Sequence, residues 1–311
     1  MAFQPPVETY KGHILEVALG DLSMGGESAF PFHPFDGTMP NRPLVAFEVW
    51  DEAPEDWSPV LNDVYGDVYG DPAAWARRVV NEYGADLLYL RLKSTDADGS
   101  AVPPAEAAAA ARVIVEAAGV PAIVVAPGEP DHVAEVLKAV AEALAGLPVV
   151  IGNAVEANYR SVGAAALGYG QSVVVFSPID VNLAKQLNVL ITRLGLADEK
   201  LLMDPTTGAL GYGLDYSYTV FERSRLAALA QNDAKMQLPM LALPGQEAWK
   251  TKEGRTPEAE LPGTGDLKTR GLMWESMTAV ALMLAGANVL VLRHPEAAEL
   301  LRKTMDALGS V

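Results

Sequence analysis

A chain of 311 residues, 50% of them hydrophobic and 20% charged, can bury one large core or two smaller ones. Its formal charge of −17, from 40 acidic and 23 basic residues, argues against nonspecific binding to nucleic acid or to an anionic membrane surface. The absence of cysteine excludes disulfides, a Cys nucleophile and an iron–sulfur cluster on Cys ligands within these residues, and no apolar run approaches the ~20 residues of a membrane helix.

The segment Met1 to Gly12 is polar and contains prolines, with neither a basic n-region nor an apolar h-region. No secretion signal is readable there, and a cytoplasmic location is expected. Residues 1–43 read as an N-terminal extension in which Gly20, Gly25 and Gly26 separate two short strand-like stretches. A hairpin capping the bottom of the following domain is the expectation. From residue 44 to 311, short apolar runs alternate with Ala-rich amphipathic stretches. The runs are Leu44–Val49, Asp86–Leu92, Pro121–Ala126, Pro148–Gly152, Ser172–Phe176, Lys200–Met203, Pro239–Leu243 and Asn288–Leu292. Between them, helices are expected from Pro72 to Tyr83, Pro104 to Ala118, around Val133–Leu144, and from Glu156 to Leu167. Further helices are expected around Leu183–Leu194, then over Tyr216–Asn232, Thr269–Ala285 and Pro295–Leu308. In the third of these, Val133, Val136, Leu137, Val140, Ala141 and Leu144 recur at helical spacing, one stripe facing a sheet. Pro at helix starts and Gly past helix ends supply the punctuation.

Strands that read as continuous apolar runs belong to a parallel sheet covered on both faces. Repetition of the strand–helix unit to eight predicts an α/β fold of (β/α)8 (TIM) barrel type with an N-terminal extension and a long loop after strand seven. A two-domain doubly wound chain is disfavoured because no Pro/Gly-rich linker divides the repeats. The long loop, Pro244–Asp266, exceeds the ~2–6 residues usual between strand and helix. It carries Trp249, Lys250, Lys252 and Arg255, and this cluster is expected to form part of a protein contact, the alternative being a Trp packed over its own barrel.

Working residues of such barrels sit at the C-terminal strand ends. Here those positions hold Glu48, Lys93-Ser94-Thr95, Pro127-Gly128-Glu129, Asn153, Ser177 and Asp180, Asp204-Pro205-Thr206-Thr207, and Arg293-His294. Such a rim, rich in amides, hydroxyls and carboxylates with few cations, suits hydrogen bonding to a polar cofactor periphery better than gripping phosphates. The stretch Asp204 to Gly213 is the most informative: its glycines permit close backbone approach, and Asp204 precedes a proline that forces an extended turn. Asp204 reads equally well as turn and N-cap chemistry for the next helix, and Asn153 as a turn residue. Gly263 to Thr269 lacks the Gly before Lys of a P-loop and has no leading strand. His13, His33, His132 and His294 are scattered without metal-ligand spacing, and His132 is expected on an exposed first helical turn. No Asp-x-His-x-x-Gly cobalt loop and no Ser–His–Asp arrangement is readable.

The run Met203-Asp204-Pro205-Thr206-Thr207-Gly208-Ala209-Leu210-Gly211-Tyr212-Gly213, followed by Asp215-Tyr216-Ser217, resembles the small (delta) subunit of the corrinoid iron–sulfur protein. That protein belongs to the acetyl-CoA synthase/carbon monoxide dehydrogenase (decarbonylase/synthase) system. Pro31 to Phe35, Asn41-Arg42-Pro43, Tyr83 to Asp86, Gly152-Asn153-Ala154, Ser177 to Asn182, Lys185 to Asn188, Glu247-Ala248-Trp249 and Arg293 to Ala297 extend the resemblance over most of the chain. It implies a (β/α)8 barrel paired with a large subunit that bears the iron–sulfur cluster and the corrinoid domain. A cobamide would lie between that subunit and the upper face of this barrel. Methyl would pass from a methyl-tetrahydropterin or methyl-tetrahydrofolate, through a methyltransferase, to cobalt and on to acetyl-CoA synthase. The resemblance together with the strand ends assigns cofactor contacts to Asn153, Ser177, Asp204, Thr206, Thr207 and Gly208, with no catalytic residue and no metal ligand in this chain. Two other readings stay open: a pterin-binding methyltransferase barrel, and a purely structural subunit.

Overall fold

The computed structural model describes residues 6–97, 100–208 and 210–309. The chain runs in the order β1 (Val17–Leu19), β2 (Leu22–Met24), β3 (Leu44–Trp50), α1 (Pro59–Tyr65), α2 (Pro72–Asn81), β4 (Leu87–Arg91), α3 (Pro104–Ala118) and β5 (Ala122–Val125). It continues with α4 (Pro130–Ala143), β6 (Val149–Ala154), α5 (Tyr159–Tyr169), β7 (Ser172–Phe176), α6 (Val181–Arg193), β8 (Leu201–Asp204) and α7 (Leu214–Leu229). The last third holds β9 (Leu241–Ala242), α8 (Pro244–Ala248), α9 (Lys252–Arg255), α10 (Leu267–Leu284), β10 (Val289–Leu292) and α11 (Pro295–Gly309).

Eight parallel strands lie in the order β8-β7-β6-β5-β4-β3-β10-β9. The remaining gap is bridged where Met203 pairs with Met240 and its N–H donates to the Pro239 carbonyl at 2.9 Å. This is the (β/α)8 barrel read from the eight-fold repeat. Every strand of the barrel wall is buried, as a sheet lined by side chains inside and covered by helices outside must be. Alternation along each strand sends Leu44, Leu87, Ile123, Val150, Val174, Leu202, Leu241 and Val289 into one interior cluster. The opposite faces meet the helices. The expected α4 stripe (Val133, Val136, Leu137, Val140 and Ala141) is buried there, and each such Val or Leu contributes roughly 1.5–3 kcal/mol.

Helix starts follow capping chemistry. Asp71 accepts from Ala74 N–H, Asp180 from Asn182 and Leu183 N–H, and Asp266 from Thr269 N–H. At the other end of the barrel, β1 and β2 form an antiparallel hairpin. Its Gly20 (φ +60°) lies against Pro121 and Pro148, which immediately precede β5 and β6. Val17, Leu19 and Met24 join the interior cluster from below.

Two features depart from the sequence reading. The connection after β3 contains an additional helix, α1, whose Tyr65 enters an aromatic cluster with Trp57 and Trp75. The expected loop 244–266 is largely ordered into α8, α9 and a 3-10 turn at Glu258–Glu260. Neither short helix has the length for a detectable period, which is why pattern reading passes over them.

Candidate functional site

The alternation that fills the barrel with aliphatic side chains delivers polar ones a layer higher. Leu44 and Ala46 are followed on the same face by Glu48, Leu87 and Tyr89 by Arg91, Leu202 by Asp204, and Val289 and Val291 by Arg293. Glu48 is fully buried and accepts from Arg91 Nε at 2.8 Å, Arg293 Nε at 2.7 Å and Trp50 Nε1 at 2.8 Å. Burial alone would raise its carboxyl, but the Arg293 and Arg91 guanidiniums outweigh that and hold it at about 2. Arg293 also lies over the Trp57 ring, 4.3 Å from its centroid. Arg91 Nη2 donates to Gln246 Oε1 on α8, which links this ionic layer to the segment after β9. The rim is therefore more cationic than the strand ends predict: Arg91 points inward from the last residue of β4, just before the predicted Lys93-Ser94-Thr95. The alternation Leu87, Tyr89, Arg91 was the available signal. Nothing local marks Gln246 as its partner.

On the other side of the mouth, β6, β7 and β8 end next to one another. Asn153 has a buried Oδ1 with no hydrogen-bond partner, Ser177 an equally orphaned Oγ, and Asp204 an orphaned Oδ2. Unpaired buried polar atoms are costly, and three on adjacent strand ends ask for an explanation. Local structure holds each in place. Gly152 admits no side chain because a Cβ would come within 2.6 Å of Val174 Cβ. The Asn153 carbonyl accepts from Asn158 Nδ2 at 3.3 Å. Ser177 N–H donates to the Asp204 carbonyl at 3.0 Å. Thr206 donates its N–H to Asp204 Oδ1 at 2.9 Å and its hydroxyl to the Ser177 carbonyl at 3.4 Å. Thr206 does so with φ +84°, a conformation that costs a β-branched residue energy. Burial pushes the Asp204 carboxyl up to about 7, against the Thr206 backbone donor that favours its ionised form.

The six sequence-assigned contacts thus separate. Asn153, Ser177, Asp204 and Thr206 stand together at the ends of β6 to β8. Thr207 is buried with its hydroxyl accepting from Leu243 N–H at 2.9 Å, a clasp between the β8 end and the β9 end. Gly208 is exposed on the following turn, and Ala209 lies outside the described residues.

Beside Arg293, a second buried carboxylate, Glu275 of α10, accepts from Arg293 N–H at 2.5 Å, His294 N–H at 3.2 Å and Trp249 Nε1 at 2.7 Å. Burial nevertheless raises its carboxyl to about 7. Trp249 is only 1% exposed and stacks on His294 with centroids 5.9 Å apart. It is a core residue of its own barrel, and the expected protein contact at Trp249 is overturned: its ring is enclosed by α10 and the β10 end, leaving nothing for a partner to cover. Burial keeps His294 neutral, with its pKa lowered to about 4. His132 is half-buried, its Nε2 2.8 Å from the Thr95 carbonyl oxygen. Among the described residues, no group of three or more His, Cys, Asp or Glu side chains is placed to hold a metal ion, and no helix is long and apolar enough to cross a membrane.

Comparison with known proteins agrees with this architecture. The dihydropteroate synthase of Xanthomonas albilineans superposes with TM-score 0.60 at 17% identity over 96% of this chain and 99% of that one. That of Yersinia pestis gives 0.59 at 16% over 96% and 100%. At such identity the likeness is one of fold. In sequence, the acetyl-CoA decarbonylase/synthase complex subunit delta of Methanothermobacter thermautotrophicus is 34% identical over 307 residues, 97% of this chain and 77% of that protein. Its Methanopyrus kandleri counterpart is 36% identical over 287 residues, 92% and 70% respectively. Residues 16–306 match the family described as CO dehydrogenase/acetyl-CoA synthase delta subunit, and the chain belongs to that family.

Proposed function

We propose that this barrel is the capping subunit of a corrinoid methyl carrier, covering a cobamide held by a large corrinoid and iron–sulfur subunit. The observation that carries the reading is the set of buried, unpartnered atoms Asn153 Oδ1, Ser177 Oγ and Asp204 Oδ2 on adjacent strand ends. These suit the periphery of a corrin, whose amide side chains offer both donors and acceptors. An Asp204 carboxyl that keeps its proton near neutral pH can donate to an amide carbonyl, while Asn153 Oδ1 can accept from an amide N–H. None of these short side chains competes for cobalt. When bound, the cobamide supplies the methyl-carrying chemistry. This chain's own residues orient it, exclude water from its covered face and leave the exchange of methyl to the methyltransferase and acetyl-CoA synthase as successive partners.

The test is cobamide retention in the complex with the large subunit. Asn153→Ala and Asp204→Ala should each speed cobamide loss or shift the cobalt absorption spectrum, with thermal unfolding of the barrel little changed. Retention and spectrum that ignore both substitutions would mean that these atoms do not touch the cofactor. Turnover of methyl-tetrahydropterin with free cobamide by this chain alone would instead mark it as a methyltransferase.

A further inference from the structure

The connections that follow the seventh and eighth strands of a (β/α)8 barrel commonly converge to bind a phosphate, using backbone N–H groups beside the start of a helix. They converge here as well. β9 and β10 are paired neighbours, and α8 packs against the end of β10 so closely that a Cβ on Gly245 would lie 2.6 Å from the Arg293 nitrogen. α11 begins just beyond, at Pro295. Three N–H groups point into the corner so formed: the backbone N–H of Arg293, the backbone N–H of His294 and the indole N–H of Trp249. A corner built only of donors has the chemistry of an anion site.

Its occupant is a side chain of this same chain. Glu275 reaches in from α10, fully buried, and its two oxygens take all three donors, Oε1 from Arg293 and His294 and Oε2 from Trp249. A glutamine there would turn its amide N–H toward one of those donors. Burial pushes the Glu275 carboxyl up to about 7, while the three N–H groups favour its charged form. The cations nearby are engaged elsewhere. The Arg293 guanidinium turns to Glu48 at 2.7 Å, Arg91 is shared by Glu48 and Gln246, and Lys268 pairs with Glu296 at 2.6 Å on the first turn of α11. Two guanidiniums beside an empty corner of donors would make a mouth for phosphorylated or carboxylated ligands. The two buried carboxylates, Glu48 and Glu275, cancel that attraction.

We infer that Glu275 is a built-in anion and a specificity residue: it fills the place at the end of β10 that an exchangeable phosphate or carboxylate would otherwise take, and so restricts the mouth to a ligand whose contacting face bears no such group. The inference deepens the function proposed above and rests on it for the ligand, since a periphery of neutral amides is a face of this kind. It also explains how a mouth that holds two arginines can suit an uncharged surface.

The experiment is anion rescue in the full chain. Glu275→Ala empties the corner and removes a group of the size and shape of acetate. At about pH 8, where the wild-type carboxyl is ionised, the variant should unfold at a lower temperature than wild type and regain stability in acetate or inorganic phosphate. Acetamide, which has the same shape without the charge, should give no recovery. Calorimetric titration should show the variant binding phosphate at least about 10-fold more tightly than wild type does. If Glu275→Ala does not fold unaided, the same comparison is made by refolding from urea, where acetate or phosphate should restore the native circular dichroism and acetamide should not. An equal response of variant and wild type to both anions overturns the inference. So does rescue by acetamide as complete as by acetate, or refolding restored by neither anion. The function proposed above fails by a different measure. If Glu275→Ala takes up phosphate while Asn153→Ala and Asp204→Ala leave cobamide retention unchanged, the built-in anion stands and the capping function falls. If the strand-end substitutions release cobamide while Glu275→Ala ignores both anions, the reverse holds.

Discussion

Asp204 shows what incomplete hydrogen bonding does to a single residue. It is 1% exposed, has one oxygen satisfied by Thr206 N–H and one with no partner, and holds its proton up to about 7. In the unfolded chain the same carboxyl titrates at roughly 3.9. Between these two values the folded state binds more protons, so the contribution of Asp204 to stability is fully present below about pH 4 and is lost as pH rises through about 7. Urea unfolding of the wild type and of Asp204→Asn, each at about pH 5 and about pH 8, isolates this effect. The wild type should lose on the order of 2–3 kcal/mol relative to the variant between the two conditions. Parallel pH dependences would show that Asp204 ionises normally and that its free oxygen is hydrated. Its position at a strand end was legible in the sequence. Its missing partner was not, because burial at the mouth depends on which neighbouring strands close around it.

At the scale of elements, the segment after β9 behaves as a small satellite of the core. Trp249 anchors it: a Cβ added to Gly271 would lie 2.3 Å from the indole ring, and the indole N–H donates to Glu275. Arg255 Nε caps the Trp249 carbonyl at 2.8 Å, so the basic residue serves the segment's own fold. Gly271→Ala should therefore destabilise the chain by roughly 1–3 kcal/mol through overpacking. Trp249→Ala should cost roughly 3–5 kcal/mol through the cavity it leaves. Both changes should appear as lowered thermal midpoints without loss of affinity for the large subunit proposed as its partner. Weakened binding by a Trp249 variant of unaltered stability would restore the interface role that its burial contradicts. An aromatic residue amid basic ones on a long connection has the composition of a contact surface. Composition does not reveal that a glycine on a later helix has left room for the ring.

For the molecule as a whole, the bottom of the barrel is fastened to the N-terminal extension by a buried polar clasp. Arg225 of α7 donates from Nε to the Gly286 carbonyl at 3.0 Å and from Nη2 to Asn288 Oδ1, and its Nη2 lies 3.8 Å from Glu27 Oε1. Asn288 in turn donates to Glu27, while its carbonyl accepts from Leu44 N–H at 2.8 Å at the start of β3. Removing one member leaves the others buried and unpaired, which costs more than the pair itself contributes. Arg225→Ala should lower stability by roughly 3–5 kcal/mol, and pairing Arg225→Met with Glu27→Gln should recover part of it. Denaturant titration checks both. An Arg225→Ala chain of wild-type stability would show that the extension is only loosely attached.

Local pattern in the chain determined the eight-fold alternation of strand and helix, the helix caps and the strand ends at which Glu48, Asn153, Ser177, Asp204 and Arg293 sit, because period and punctuation act over a few residues. Barrel closure decided the rest. It set Arg91 and Arg293 on either side of Glu48, joined Arg91 to Gln246, consumed the Thr207 hydroxyl in a clasp to Leu243 and left Asn153, Ser177 and Asp204 each with an unspent atom. Those outcomes join residues far apart in the chain, and no local period encodes them. The same holds for α10. That Glu275 is its only ionisable residue after Gly271 is written in the sequence, but only the packed barrel shows that Met273 and Met277 stay exposed, since exposure depends on what the neighbouring helices leave open.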